Sequence, residues 1–277
     1  MILGLIKSLI GWERKSKHQK DRLAHRAGRA AATAICLVPV PLWTLLRAFG
    51  SDKQRPGWHS YGRTYHALFR PMKYRRVKLL EIGIGGYGVS MGGQSLLAWQ
   101  AFFPFGAIVA ADIVPKHELD GGRVRIRAVD QSSATDLARL RRDDGPFDIV
   151  IDDGSHMNAH QIFTFQHLWD ALNDGGIYVI EDVQTAFWPG VVEGVQWDGA
   201  PIRDPAFRDT CYGYFLELTK YINHAEFIDT AGLDDSLLAI ARTTKQILFE
   251  HNLIVVRKGD NSEASNASLN DVLPSPV

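Results

Sequence analysis

Two short stretches hold the residues best suited to chemistry: Val150-Ile151-Asp152-Asp153-Gly154-Ser155-His156 and Ile180-Glu181-Asp182. Each follows an apolar, β-branched run, residues 147–151 and 177–180, that reads as a short buried strand. In an open parallel sheet, side chains just past the carboxyl ends of neighbouring strands converge on one crevice. Asp153, Glu181 and Asp182 are thereby candidates to surround one hard cation, with His156 beside them. Aspartates after strands also cap helices, but four ionisable residues at two strand ends exceed what capping needs.

The elements that position them follow a regular alternation. Strands are expected over residues 77–82, 107–111, 124–129, 147–151 and 177–180, and helices over 94–103, 134–140 and 158–172. Such alternation implies an α/β protein with a parallel sheet covered on both faces. An irregular stretch with Trp188, Pro189, Trp197, Pro201 and Pro205 follows, then a helix over 214–223. Runs 246–249 and 253–257 read as a closing hairpin turning near His251-Asn252.

The first strand ends in Glu81-Ile82-Gly83-Ile84-Gly85-Gly86-Tyr87-Gly88. Glycines here allow a ligand to approach the backbone closely. The spacing departs from the dinucleotide fingerprint, and no P-loop sequence occurs, so nicotinamide and P-loop nucleotide chemistry are disfavoured. Asp112 ends the second strand, where an acid can accept hydrogen bonds from ribose hydroxyls. Asp130 and Gln131 end the third. Acids after successive strands beneath a glycine turn imply an adenosine-bearing ligand and disfavour a phosphate-rich one.

Taken in order, Glu81-Ile82-Gly83-Ile84-Gly85-Gly86-Tyr87, Gly92-Gly93-Gln94-Ser95-Leu96, Asp112-Ile113, Asp130-Gln131-Ser132, Asp152-Asp153-Gly154-Ser155-His156 and Glu181-Asp182 resemble the metal-dependent sugar O-methyltransferases of the mycinamicin and macrocin type. Ser51-Asp52-Lys53 with His59, Tyr61 and Tyr65, and the closing run 252–258, look similar too, so the resemblance covers about residues 47–260. It implies a Rossmann-like class I methyltransferase fold, with a seven-stranded, mostly parallel sheet, helices on both faces and a closing antiparallel hairpin. It also implies S-adenosylmethionine as cofactor, bound through Glu81, Gly83, Gly85, Tyr87, Asp112, Asp130, Gln131 and Asp152. Asp153, Glu181 and Asp182 would ligate Mg²⁺, and His156 would be the general base. A carbohydrate-containing acceptor is the expected partner, whether glycoside, glycolipid or polysaccharide. Two other readings are a transferase acting on a catechol-type diol and a non-catalytic cofactor-binding envelope protein. The aromatic residues Phe187, Trp188 and Trp197 could form an acceptor lid or simply pack a long loop.

The 277-residue chain is 45% hydrophobic, ample for a core, and its formal net charge is zero, which gives no reason to expect a nucleic-acid partner. That zero hides an asymmetry. Residues 1–30 carry Lys7, Arg14, Lys15, Lys17, Lys20, Arg22, Arg26 and Arg29 against Glu13 and Asp21, so the rest is about six charges negative. Cys36 and Cys211 form no ligand spacing and suit a reducing compartment. The apolar run over residues 30–49 is broken by Pro39 and Pro41. Residues 1–46 are expected to be a basic, apolar extension, 47–258 the methyltransferase domain, and 259–277 a disordered tail. The extension has two open uses: peripheral contact with the inner face of the membrane from the cytoplasm, or packing on its own domain or on a sister subunit in a homo-oligomer.

Overall fold

In the computed structural model, residues 16–86, 91–229 and 231–265 are described. Tyr87 of the expected cofactor set lies outside them, as do residues 1–15 of the extension and 266–277 of the tail. Two compact units divide the chain after Val129.

The first unit opens with α1 (Lys17–Ile35), started by a reciprocal capping box between Ser16 and Gln19. Pro39 and Pro41 interrupt helical structure as expected, and α2 (Leu42–Phe49) restarts after Pro41 and stops at Gly50, whose φ is +79°. Then come α3 (Gly62–Phe69), β1 (Lys78–Ile82), α4 (Gln94–Phe102), β2 (Ala107–Asp112) and β3 (Val124–Ala128). Helix α4 is buried along almost its whole length and packs against both α1 and α2. Leu42, Leu45 and Leu46 are core residues, so the expected boundary at residue 46 falls inside a helix with one buried face. Arg29 of α1 donates to the carbonyls of Leu119 and Asp120, which binds the basic helix to its own unit. No helix among the described residues is long and apolar enough to cross a membrane.

The second unit holds α5 (Ala134–Asp144), β4 (Phe147–Asp152), α6 (Asn158–Leu168), β5 (Leu172–Glu181), β6 (Pro189–Val192), β7 (Val195–Asp198), α7 (Cys211–Tyr221), α8 (Asp235–Ala241), β8 (Thr244–Glu250) and β9 (Leu253–Lys258). The seven strands of the main sheet run in the order β3-β2-β1 within the first unit and β4-β5-β9-β8 within the second. The pairs β1–β2, β2–β3 and β4–β5 are parallel, while β9 runs antiparallel to β5 and to β8. The expected α/β class and closing hairpin are both present.

Two local expectations change. Helix α6 stops at Leu168 rather than 172, because Leu172 is drawn into β5 opposite Phe147, with a register shift before Ile149. The stretch expected to be irregular contains the hairpin β6–β7, which turns on Glu193 and Gly194, both at positive φ (51° and 78°).

Candidate active site

The register of β4 against β5 brings the two acidic ends together. Asp152 lies opposite Ile180, so Asp153, just past the end of β4, is level with Glu181, the last residue of β5. Ligand-type atoms of Asp153, His156 and Asp182 all lie within 4.8 Å of one another. His156 Nε2 is 4.0 Å from Asp153 Oδ1 and 3.7 Å from Asp182 Oδ2. The three side chains are between 15 and 19% exposed, open enough for a ligand to reach. Glu181 is almost fully buried, and its carboxylate is outside that group of three.

His156 and Asp182 both have left-handed backbones, with φ of 57° and 55°. Each costs about 1–2 kcal/mol for a residue with a Cβ, so neighbouring bonds must fix them. The Thr185 hydroxyl donates to the carbonyl of His156 at 2.7 Å and lies 3.4 Å from that of Asp182. Gln161 Nε2 donates to the Glu181 carbonyl at 2.9 Å. Helix α6 begins two residues after His156 without a cap from its own N-cap side chain. Its first amides are taken by Asp198, whose Oδ1 accepts from Asn158 N and Nδ2 and whose Oδ2 accepts from Ala159 N.

The donor set fits a hard divalent cation. Two carboxylates supply the oxygen ligands that Mg²⁺ prefers. The two free cysteines are elsewhere, so nothing favours a thiolate-seeking metal. The imidazole Nδ1 is buried with no hydrogen-bond partner, while Nε2 faces the two acids.

Behind this group lies a second layer. Gln131 Nε2 donates to Asp152 and to Thr164 Oγ1, both at 3.2 Å, and Gln131 Oε1 accepts from Ser155 N at 2.6 Å. Asp152 is fully buried, and burial pushes its carboxyl up to about 7 against the opposing hydrogen bonds from Gln131 and Gly154. Asp130 is held below the usual carboxylate range by the hydroxyl and amide of Ser132.

In the first unit, Asp112 Oδ2 accepts from Ile84 N at 3.1 Å and from Lys116 Nζ at 2.8 Å, and Lys116 also donates to the Gly85 carbonyl. Asp112 is thus tied to the glycine turn, in which Gly83 and Gly85 have φ of 79° and 62°. Glu81 is fully buried, accepts from Ser95 Oγ and Trp99 Nε1 at 2.9 Å each, and pairs with Lys53 Nζ at 3.3 Å. Ile113 and Val114 are exposed just beyond Asp112.

Residues 80–183 match the methyltransferase domain family. The 8-demethyl-8-alpha-L-rhamnosyl tetracenomycin-C 2'-O-methyltransferase of Streptomyces olivaceus is 38% identical over 214 residues, which is 77% of this chain and 53% of that protein. The mycinamicin VI 2''-O-methyltransferase of Micromonospora griseorubida is 38% identical over 206 residues, 74% of this chain and 49% of that protein. Among solved structures, the MycE methyltransferase of the mycinamycin biosynthetic pathway, in complex with Mg, SAH and mycinamycin VI, superposes with a TM-score of 0.73 at 36% identity. That match covers 83% of this chain and 56% of MycE. The chain carries a methyltransferase domain and is similar to the mycinamicin- and macrocin-type O-methyltransferases. It spans about half the length of the curated relatives that it matches.

Sequence reasoning passed over Thr185, Asn158, Asp198 and Lys116. Asp198 contacts residues 40 positions away, a distance at which no local pattern operates. Lys116 was the more accessible, since an acid and a lysine four residues apart are a common pair.

Proposed function

We propose that this protein is a Mg²⁺-dependent O-methyltransferase that moves the methyl group of S-adenosylmethionine to a sugar hydroxyl. The convergence of Asp153, His156 and Asp182 within 4.8 Å carries this reading. Two carboxylates and an imidazole at one strand-end crevice suit deprotonation of a weakly acidic alcohol. Similarity to known O-methyltransferases supports the cofactor and the sugar. MycE was solved with Mg, SAH and mycinamycin VI, and the name of the tetracenomycin relative specifies 2'-O-methylation of a rhamnosyl compound.

Asp153 and Asp182 would hold the cation, with Glu181 completing the acidic set. Bound there, Mg²⁺ would orient vicinal hydroxyls and lower the pKa of the acceptor. His156 Nε2 would accept the hydroxyl proton, a role worth roughly 10²–10⁴-fold, while the bound sulfonium would supply the methyl group and leave as the neutral thioether. The resulting imidazolium is stabilised by the carboxylates beside it. Cofactor recognition is assigned to Glu81, Gly83, Gly85, Tyr87 and Asp112, and to Asp130, Gln131 and Asp152. Asp112 serves the ribose, and Ile113 and Val114 offer apolar surface to a planar base. Lys116 must yield part of its hold on Asp112 when ribose hydroxyls arrive. We assign the chemistry to residues 47–258.

The acceptor is proposed to be a lipid-linked or envelope glycan met at the inner face of the membrane. Exposed Lys17, Arg22 and Arg26 of α1 support this, at about 1 kcal/mol per basic residue near an anionic surface. Deleting residues 1–46 would remove the buried Leu42, Leu45 and Leu46, so charge neutralisation in the full chain is the better test. Co-sedimentation with phosphatidylglycerol vesicles should fall in a K17Q/R22Q/R26Q variant; equal sedimentation argues for a soluble glycoside or for use of the extension in a homo-oligomer. The enzymatic reading is tested by calorimetry with S-adenosylhomocysteine, with and without Mg²⁺, followed by a methylation screen over mono- and oligosaccharides. No binding of S-adenosylhomocysteine would overturn it.

A further inference from the structure

The hairpin β6–β7 is fastened at both ends to the loop that carries His156. Before the hairpin, buried Thr185 donates its hydroxyl to the His156 carbonyl at 2.7 Å. After it, Asp198 at the end of β7 accepts three hydrogen bonds from the start of α6, at 2.8 to 3.0 Å. Those bonds outweigh the effect of burial and keep the Asp198 carboxyl below its ordinary range. Fully buried Asn158 closes the loop, since its Oδ1 accepts from Cys211 N at 2.9 Å. Residues 156–159 are therefore held between the two feet of the hairpin. Between the feet stand Trp188 and Trp197, in edge-to-face contact at 5.7 Å, and the exposed Val191 and Val195.

We propose that Thr185 and Asp198 are positioning residues through which the β6–β7 hairpin sets the place of His156. This rests on the reading of His156 as the base. A hairpin with half-buried tryptophans and exposed valines is suited to the apolar face of a sugar or its aglycone. With both feet bonded to the base-carrying loop, contact of an acceptor with the hairpin constrains the imidazole in the same act. A helix N-terminus ordinarily takes its cap from the adjoining residue; here the cap comes from the hairpin, so α6 and the hairpin cannot shift independently. Misplacing a base by about 1 Å costs on the order of 100-fold in rate, so the fastening is where acceptor fit turns into turnover.

The test uses the full chain and the variants T185V, T185S, D198A and D198N. Two readouts are taken: kcat and KM for a glycoside found in the screen, and the His156 resonance in spectra of ¹³Cε1-labelled histidine, assigned with H156Q. T185V and D198A should lower kcat by about 10- to 100-fold and shift the His156 resonance, with S-adenosylhomocysteine affinity and acceptor KM changed little. T185S and D198N, which keep the acceptor or donor atom, should recover most of kcat. Wild-type kcat and an unmoved resonance in T185V and D198A overturn the proposal. If D198A does not fold, D198N carries the test: it loses only the acceptor for Ala159 N, so the resonance must move part-way, and no movement overturns it. A wild-type chain inactive on every glycoside overturns the functional reading, and the resonance then decides this one by itself.

Discussion

His156 Nε2 and Asp182 Oδ2 face each other at 3.7 Å, and both residues hold left-handed backbones. Strained non-glycine residues persist where surrounding structure over-determines them, and functional sites are where they collect. Two of the four positive-φ non-glycine residues among those described fall in this one group of three side chains. The separation exceeds a hydrogen bond, which leaves room for a bound oxygen or cation near the imidazole.

Replacing the imidazole removes the proton acceptor and little else. H156Q should lower kcat by about 10²–10⁴-fold while leaving S-adenosylhomocysteine affinity unchanged by calorimetry. A variant within threefold of wild type would remove His156 from the chemistry.

Asp112 should matter to binding and not to proton transfer. D112A removes acceptors for Ile84 N and Lys116 Nζ as well as for ribose hydroxyls. A charged hydrogen-bond partner contributes about 1.5–3 kcal/mol, so Kd for S-adenosylhomocysteine should rise by roughly 10- to 100-fold. An unchanged Kd would place the ribose elsewhere.

The buried Lys53–Glu81 pair makes a stability prediction independent of any ligand. K53M takes the cation from a carboxylate that is fully buried, which should cost about 3–5 kcal/mol. The double variant K53M/E81Q should regain most of it, since Gln can still accept from Ser95 and Trp99. Urea unfolding of the three proteins measures this, and a silent K53M would contradict it.

Stability against acid should depend on His25. Burial first, then Arg29, lowers its pKa from 6.5 to about 4. The unfolded chain thus takes up this proton at a higher pH than the folded one. The stability is complete above about pH 6.5 and is lost as pH falls toward about 4, by up to about 1.4 kcal/mol per unit. H25L should lack this part of the slope. Parallel slopes for wild type and H25L between about pH 7 and about pH 5 would contradict the assignment.

How far the sequence could be read follows from the range of each interaction. Strand-end acids were legible because two β-branched runs fix where β4 and β5 stop, and the convergence of Asp153, His156 and Asp182 follows from that register. The hairpin was hidden because its turn is Glu193-Gly194 rather than Asn-Gly or Asp-Gly, the residues that ordinarily announce this turn. The end of α6 was hidden because Leu172 suits a helix as well as a strand, and only its pairing with Phe147 decides. The burial of Asp152 and Glu81 depends on Gln131, Lys53, Ser95 and Trp99, which no spacing rule connects to them.

Methyl transfer from S-adenosylmethionine to a glycoside acceptor from the screen, followed as Mg²⁺ is removed and returned, tests the central claim most directly. Turnover should vanish in EDTA, return with Mg²⁺, and be absent at every Mg²⁺ concentration in D182N. Full turnover after exhaustive chelation, or wild-type turnover by D182N, would contradict it.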